Sequence, residues 1–351
     1  MDEKSIHMPT LLLFNSRFES GNLERAYKIE EVYSIPQLTM RRSALSKNTA
    51  ASTHLDGRQK HGAQIPDKLE ARYELFLSPD YGIGKKQNKE GEYTRYGLSK
   101  HTQWFYFSTK NISKNLKAKF AIKNLYKKSS AYSKGMRPFV FSYKMYKEKG
   151  ISWHRGCEHV WYSQNYDNPS RSTLRFTYTY EYEDDIVYFA HFIPYTFTRL
   201  KWLLHKLKMY KMNRNKMKIT QLWKSVSNLP WYSLKITSSD NEYGEQKWVF
   251  LTWRVHPGES NSSFMMEGML NHLLTSHEIK SKFTYIIIPC LNPDGVYYGK
   301  YRWNMLGTDL NRVWNSPSKY FHPTVYYAKE LLRQIHDGSY FHQIQEFNQE
   351  K

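Results

Sequence analysis

Short runs that mix hydrophobic and polar residues fill the first half of the chain. They are rich in aromatic residues and separated by polar turns, and they lie at residues 73–77, 103–107, 118–122, 138–143, 175–180 and 186–189. Short strands at this spacing are typical of two antiparallel sheets packed face to face. Residues 1–198 are therefore predicted to form an antiparallel β-sandwich. Within it, residues 34–68 are polar and lack periodicity, which predicts a mobile insertion.

The pattern changes after about residue 230, where apolar runs alternate with a helical period. Residues 248–255 and 283–289 are apolar runs, and residues 261–276 between them carry apolar side chains at helical spacing. A strand, a helix and a second strand in this order form a βαβ unit, which places two parallel strands in one sheet. Residues 231–351 are therefore predicted to form an α/β domain around a mostly parallel mixed sheet.

The segment between these two regions is strongly basic. Residues 199–224 hold nine lysines and arginines and no acidic residue, and leucine and aromatic residues recur inside this run at helical spacing. The pattern predicts a basic amphipathic helix within a connecting segment over 199–230. Two interpretations of the charge stay open: a solvated helix face, or a surface that binds an anion.

Charge and composition narrow the classes of function. The 351 residues include 52 Lys and Arg against 32 Asp and Glu, a net charge of +20 that favours an anionic partner. The apolar runs are too short for a membrane helix. Cys157 and Cys290 are the only cysteines, which excludes a framework of several disulfides. We therefore expect a cytoplasmic protein that does not insert into a membrane.

Polar motifs follow the apolar runs of the second half. His256-Pro257-Gly258-Glu259 follows the first run, and its Pro-Gly turn lets an imidazole and a carboxylate converge on one point, as a zinc ion requires. Beyond the second run lie Arg302 and the tetrapeptide Asp309-Leu310-Asn311-Arg312. An arginine beside an asparagine is suited to binding a free carboxylate, and a second arginine to stabilising an oxyanion. Helix capping and ordinary surface arginines are the alternative interpretations.

These motifs, in their order and spacing, resemble the zinc metallocarboxypeptidases, and specifically their cytosolic carboxypeptidase branch. The motifs that carry the resemblance are 256–259, Asn292-Pro293-Asp294-Gly295, Arg302 and 309–312. In the first half, residues 14–23, 103–107 and 189–196 are similar to the β-sandwich domain of that branch. The resemblance covers nearly the whole chain, apart from residues 34–68 and the last dozen or so residues.

The resemblance implies a role for each candidate residue. His256 and Glu259 would bind Zn²⁺. Arg302 would be the catalytic arginine that polarises the scissile carbonyl. Asn311 and Arg312 would bind the terminal carboxylate of the substrate.

The resemblance also implies a substrate and a partner. Members of this branch remove glutamates from acidic C-terminal tails or side chains, notably those of tubulin, so tubulin or microtubules are the implied partner. A monomer is expected in the cytosol, at the cytoskeleton, centriole or cilium. The third zinc ligand of the family comes from an Asp-x-His-Gly-His stretch, and its catalytic glutamate comes later still; neither follows Arg312. We therefore expect an incomplete, C-terminally truncated α/β domain with little or no hydrolytic activity.

Two further hypotheses remain beside the enzyme. The first is a truncated, catalytically weak or inactive module of the same fold, which binds acidic tails without hydrolysing them. The second is a nucleic-acid binder that acts through residues 199–224. Nucleic acid is the disfavoured partner, because the chain has the charge for it but no recognised nucleic-acid-binding motif.

Overall fold

A computed structural model describes residues 11–29, 69–80, 85–87, 93–95, 101–210, 216–237, 247–276 and 282–337. The mobile insertion predicted for residues 34–68 lies outside these ranges. No helix among the described residues is long and apolar enough to cross a membrane.

The secondary structure divides into a strand-rich first half and a mixed second half. The first half contains β1 Leu13–Asn15, β2 Arg25–Ile29, β3 Glu70–Phe76, β4 Lys85–Gln87, β5 Tyr93–Arg95, β6 Tyr106–Lys110, β7 Lys117–Leu125, a 3-10 turn Ala131–Lys134, β8 Phe139–Ser142, α1 Tyr143–Lys149, β9 Glu158–Gln164, β10 Ser172–Thr179 and β11 Val187–Ala190. The second half contains α2 Phe197–Met209, β12 Met217–Lys224, β13 Pro230–Ile236, β14 Lys247–Thr252, α3 Ser260–Thr275, β15 Phe283–Ile288, α4 Pro293–Tyr297, a 3-10 turn Leu310–Arg312 and α5 Pro323–His336.

Two sheets packed on one core form the N-terminal unit, which confirms the predicted β-sandwich. One sheet has the strand order β1-β6-β11-β8, and the other β2-β3-β7-β10-β9. Side chains alternate between the two faces of each strand, so Phe107, Phe120 and Phe189 meet in a shared aromatic core. The ring centroids of Phe120 and Phe189 are 5.2 Å apart.

One strand pair of the sandwich departs from the antiparallel prediction. Strands β3 and β7 pair in parallel. A parallel pair needs a crossover connection, and here the chain passes through β6 in the opposite sheet before it returns to β7. The alternation of buried and exposed residues along one strand does not indicate whether its neighbour runs parallel or antiparallel to it.

The basic run at 199–224 is not the connecting segment that we predicted over 199–230. Its first part is the predicted amphipathic helix α2, whose leucines are buried while Lys201, Lys206 and Lys208 face solvent. Its last part is strand β12, which pairs with β13 in the C-terminal sheet. The lysines of β12 make the strand hard to recognise in the sequence, because β12 is the last strand in the described order of the sheet and only partly buried.

The C-terminal sheet is mixed, as predicted, but among its described strands it is not mostly parallel. Its order is β12-β13-β15-β14, and only β14 and β15 run in parallel. Strands β12 and β13 are joined by a short turn, and such a connection permits only an antiparallel pair. Helices α2 and α3 pack on one face of the sheet, and α5 packs on the other.

Hydrogen bonds from the N-terminal unit fix the position of α4, which belongs to the C-terminal unit. The Ser20 hydroxyl donates to the Val296 carbonyl at 2.6 Å, and the Ser20 N–H donates to the Tyr297 carbonyl at 2.8 Å. The carbonyl of Ser20 in turn accepts the indole N–H of Trp104 at 2.8 Å. These buried hydrogen bonds tie the segment between β1 and β2 to the C-terminal unit.

We expect Gly299→Ala to destabilise the contact between the N-terminal and C-terminal units. Gly299 has a φ of +63°, and a Cβ atom there would lie 2.4 Å from the carbonyl oxygen of Gly21. The substitution should cost about 2 kcal/mol of unfolding free energy, measured by urea denaturation. Gly150→Ala is the matched control, because Gly150 also has a positive φ but open space around it. It should cost only about 1 kcal/mol, and equal losses in both variants would contradict the predicted clash.

Candidate active site

The tetrapeptide 256–259 forms a tight turn between β14 and α3, so it lies at the carboxyl end of a strand that is parallel to its neighbour. This is the edge where α/β sheets place their ligands. Gly258 donates its N–H to the Tyr301 carbonyl at 2.8 Å, and a Cβ atom at Gly258 would lie 2.6 Å from the Tyr301 ring. Only glycine therefore permits this close approach.

The turn brings the two predicted metal ligands together. Nδ1 of His256 lies 3.1 Å from Oε1 of Glu259. Two ligands of a tetrahedral Zn²⁺, at bond lengths of about 2.1 Å, lie about 3.4 Å apart. A hydrogen bond from the His256 imidazole holds the pKa of Glu259 below its usual value, so the carboxylate is ionised, as a ligand must be. The pair fits two of the positions around a zinc ion.

Asp309 completes the environment of His256, and our sequence reasoning did not assign it a role. Its Oδ1 lies 3.1 Å from Nε2 of His256. An ionised carboxylate only accepts, so Nε2 donates to Asp309, and Nδ1 donates to Glu259 in the metal-free protein. A metal ion bound at Nδ1 would replace that second hydrogen bond. Burial raises the pKa of Asp309, but the Asn311 N–H and the Arg302 guanidinium outweigh it and keep the pKa below its usual value. A carboxylate behind a histidine is the usual partner of a metal ligand.

Arg302 reaches the same carboxylate from its other side. Its Nε and Nη2 each lie 2.8 Å from Oδ2 of Asp309. The two predicted functional groups, the imidazole of His256 and the guanidinium of Arg302, are therefore joined through Asp309. The motif 309–312 carried the signal that could have identified Asp309, because an aspartate there stands beside the predicted carboxylate-binding pair.

Asn311 and Arg312 lie in the 3-10 turn that Asp309 caps. Oδ1 of Asp309 accepts the Asn311 N–H at 2.9 Å, so the carboxylate behind His256 also starts this turn. Both side chains are exposed, and Nη1 of Arg312 donates to the Asn311 carbonyl at 3.1 Å. The structure thus places the predicted carboxylate-binding pair directly beside Asp309, with the arginine side chain at the surface.

Arg254 is a second residue that the sequence reasoning missed. It is 4% exposed, and its guanidinium donates to the Pro257 carbonyl at 2.8 Å and to the Ser263 hydroxyl at 2.8 Å. A third bond, to the Tyr195 carbonyl at 3.2 Å, reaches the segment before α2. Burial lowers the pKa of Arg254 to about 10. The side chain ties the turn at 256–259 to α3.

A third zinc ligand does not appear in the part of the chain that the structure describes. No group of three His, Cys, Asp or Glu side chains there could hold a metal ion. His322, which follows Arg312 in the chain, uses Nδ1 to accept the Ser318 N–H at 3.1 Å. The described residues therefore supply two candidate ligands, His256 and Glu259, and an arginine oriented by Asp309.

Asp309→Asn tests the support that His256 receives. The amide keeps an acceptor for Nε2 but removes the negative charge that fixes the imidazole. Substitutions of such outer partners typically lower metal affinity by about 10–100-fold, and we expect a loss in this range. Competition with a zinc-binding dye measures it. An unchanged affinity would show that Asp309 does not support the metal ligands.

Models of two protein families match this chain. The model described as zinc carboxypeptidase matches residues 204–343, and the model described as cytosolic carboxypeptidase N-terminal domain matches residues 64–192. The first range contains the whole candidate site, and the second contains most strands of the sandwich. The two matched ranges follow the division between the two structural units.

Curated relatives carry the same pair of units. Cytosolic carboxypeptidase 3 of Bos taurus is 31% identical over 333 residues, which cover 92% of this chain and 28% of the relative. Cytosolic carboxypeptidase 2 of Homo sapiens is 31% identical over 334 residues, which cover 92% of this chain and 31% of the relative. Cytosolic carboxypeptidase 6 of Homo sapiens is 38% identical over 281 residues, with 78% of this chain and 52% of the relative covered. The chain thus spans about a third to a half of the length of these relatives.

Solved structures share the fold. A putative carboxypeptidase A from Shewanella denitrificans superposes with a TM-score of 0.60 at 20% identity, covering 92% of this chain and 66% of that one. A metallo-carboxypeptidase from Burkholderia cenocepacia gives a TM-score of 0.60 at 18% identity, covering 93% and 67%. Because the family models match both units and the curated relatives align across them, this chain belongs to the cytosolic carboxypeptidase branch of the zinc carboxypeptidase family.

Proposed function

We propose that this protein is a zinc-dependent metallocarboxypeptidase that removes glutamates from acidic C-terminal tails or side chains of proteins such as tubulin. One observation carries the proposal: the His256–Glu259 pair is backed by Asp309, which also holds Arg302, at the carboxyl end of two parallel strands. A metal ligand pair, its supporting carboxylate and an oxyanion-binding cation are among the parts that peptide hydrolysis at zinc needs.

In this proposal His256 and Glu259 hold the zinc ion. When bound, Zn²⁺ supplies a Lewis acid and an acidified water molecule. Asp309 keeps the proton on Nε2 of His256 and so leaves Nδ1 for the metal. Arg254 keeps the turn in place through the Pro257 carbonyl.

The arginines provide the substrate contacts. Arg302, oriented by Asp309, polarises the scissile carbonyl and stabilises the charge that develops on its oxygen. Arg312, with the amide of Asn311 beside it, binds the free terminal carboxylate, because a guanidinium offers two parallel donors to a carboxylate. Binding of the terminal carboxylate restricts cleavage to the chain end.

The charge of the protein supports an acidic substrate and partner. The net charge is +20, and the exposed face of α2 carries Lys201, Lys206 and Lys208 beside the exposed Trp202. Such a field attracts a polyanionic tail and raises its rate of association. Tubulin tails on microtubules are the proposed partner. The relatives are named cytosolic carboxypeptidases, which supports a cytosolic location. Within the cytosol, the cytoskeleton, centriole or cilium is the location that we propose.

Release of glutamate tests the proposal. The chain is incubated with zinc and a peptide that ends in several glutamates, and free glutamate is measured over time. Because the described residues hold only two candidate ligands, we expect slow release at most. Release that stops after chelation and that is not seen with the C-terminally amidated peptide would support the proposal. Binding of the peptide without release would favour the alternative function, a tail-binding module of the same fold. Tighter binding to duplex DNA than to the peptide, at equal salt concentration, would favour the nucleic-acid binder.

A further inference from the structure

A buried carboxylate of the N-terminal unit lies directly behind the candidate catalytic arginine. Asp80 follows β3 and is 1% exposed. Its two carboxylate oxygens accept the backbone N–H groups of three consecutive residues: Tyr301 at 2.7 Å, Arg302 at 2.6 Å and Trp303 at 3.1 Å. Three amide donors converging on one carboxylate leave the backbone of this segment little freedom to move.

The surroundings of Asp80 favour its hydrogen bonds with the backbone of residues 301–303. Its own N–H donates to the His101 carbonyl at 2.9 Å, which anchors the aspartate inside the N-terminal unit. Burial raises the pKa of Asp80 above its usual value, while the three N–H groups and the Lys300 charge oppose that rise. A buried carboxylate is costly unless hydrogen bonds compensate for the lost water. The three amides supply that compensation only in the observed backbone conformation.

The segment held by Asp80 supports the site at two points. The side chain of Arg302 extends from it to Asp309, which in turn reaches Nε2 of His256. The carbonyl of Tyr301 accepts the N–H of Gly258, inside the turn that carries the metal ligand pair. A change in the backbone at 301–303 would therefore move the guanidinium and the turn together.

We propose that Asp80 is a positioning residue for Arg302, so that the N-terminal unit contributes directly to the geometry of the candidate active site. The proposal rests on the proposed function in taking Arg302 as the group that polarises the scissile carbonyl. Without the three hydrogen bonds to Asp80, the segment loses its fixed path and the guanidinium loses its alignment with Asp309. A carboxylate that served only folding would affect the stability of the whole protein but not this one arginine selectively.

Asp80→Asn is the test, with Asp185→Asn as a matched control. Asp185 is also buried in the N-terminal unit, 3% exposed, and also accepts three donors, the Ser142 hydroxyl and the N–H groups of Lys144 and Ile186. Its donors do not belong to the candidate site. The side-chain amide introduced by Asp80→Asn would present an NH₂ donor to the three N–H donors, so at least one of them loses its partner.

The measurement is the rate at which the Nε–H of Arg302 exchanges with solvent, followed by NMR of the arginine side chains and assigned by its loss in Arg302→Lys. We expect slow exchange in the wild-type protein because Nε donates to Asp309. Asp80→Asn should accelerate it about tenfold, the factor that corresponds to roughly one lost hydrogen bond. Asp185→Asn should leave it unchanged, even if it lowers the melting temperature equally.

Three outcomes would overturn the proposal. They are an unchanged rate in Asp80→Asn, equal acceleration in Asp185→Asn, and rapid exchange of the backbone amides of 301–303 in the wild-type protein. The last is decisive even if Asp80→Asn does not fold. None of these measurements requires turnover. If the protein releases no glutamate, the proposed function is contradicted. The exchange rates still show whether Asp80 positions Arg302.

Discussion

His256→Ala is expected to lower the zinc affinity of this protein by about 100-fold or more. A four-ligand protein site binds Zn²⁺ with roughly 10–16 kcal/mol, so one ligand accounts for about 3 kcal/mol. The substitution also removes the imidazole that lies between Glu259 and Asp309, and these two carboxylates then lose the group that bridges them. Titration of the protein with zinc in the presence of a chelating dye gives the two affinities.

A control is needed because the chain contains 14 histidines, and exposed histidines bind zinc weakly. His272→Ala serves this purpose, since His272 is exposed in the last turn of α3, away from the turn at 256–259. It should leave the affinity within a factor of about two, as surface substitutions usually do. Equal zinc affinity in His256→Ala and in the wild-type protein would mean that the metal binds elsewhere.

Arg312→Ala should weaken binding of peptides with a free C-terminal carboxylate by about 2–3 kcal/mol, because a charge-assisted bidentate contact is lost. The guanidinium is exposed, and the contact that the structure gives it is one bond to the Asn311 carbonyl. Little internal structure is therefore disturbed by its removal. Isothermal titration with a short polyglutamate peptide measures the loss.

Two controls separate a specific contact from general charge attraction. The amidated form of the same peptide should bind the wild-type protein and Arg312→Ala alike. Arg333→Ala removes an exposed arginine that pairs with Glu330 on α5, and it should not change the affinity for the free acid. A loss that is equal for both peptides would show that Arg312 does not bind the terminal carboxylate.

The two halves of the candidate site differ in how far the sequence predicted them. His256 and Glu259 are three residues apart, and the Pro-Gly turn between them brings their side chains together by local geometry alone. Asp309 is 53 residues from His256 in the chain, and Asp80 is 222 residues from Arg302. Such contacts depend on how whole elements pack, which the pattern along one segment does not contain.

The sheets show the same division. Alternation within single runs predicted the sandwich strands, since that pattern reports which face of a strand is buried. The direction of pairing was predicted less well. Strands β3 and β7 are parallel, and two of the three described pairs in the C-terminal sheet are antiparallel. Whether two strands pair in parallel or antiparallel follows from the path of the chain that connects them. Strand β12 was missed for another reason: it is rich in lysine and lies within a basic run.

The sequence by itself determined the strand-rich and mixed units and the family resemblance. It also named His256, Glu259, Arg302 and the pair Asn311–Arg312 as candidates, because short motifs and local periodicity carry all of these. Only the tertiary structure decided which groups support them. Asp309 joins His256 to Arg302, Arg254 holds the turn, and Asp80 reaches in from the other unit. A supporting hydrogen bond needs only an acceptor or donor at the right point in space. Many residue types and positions can meet that need, so the chain carries no local signal for it.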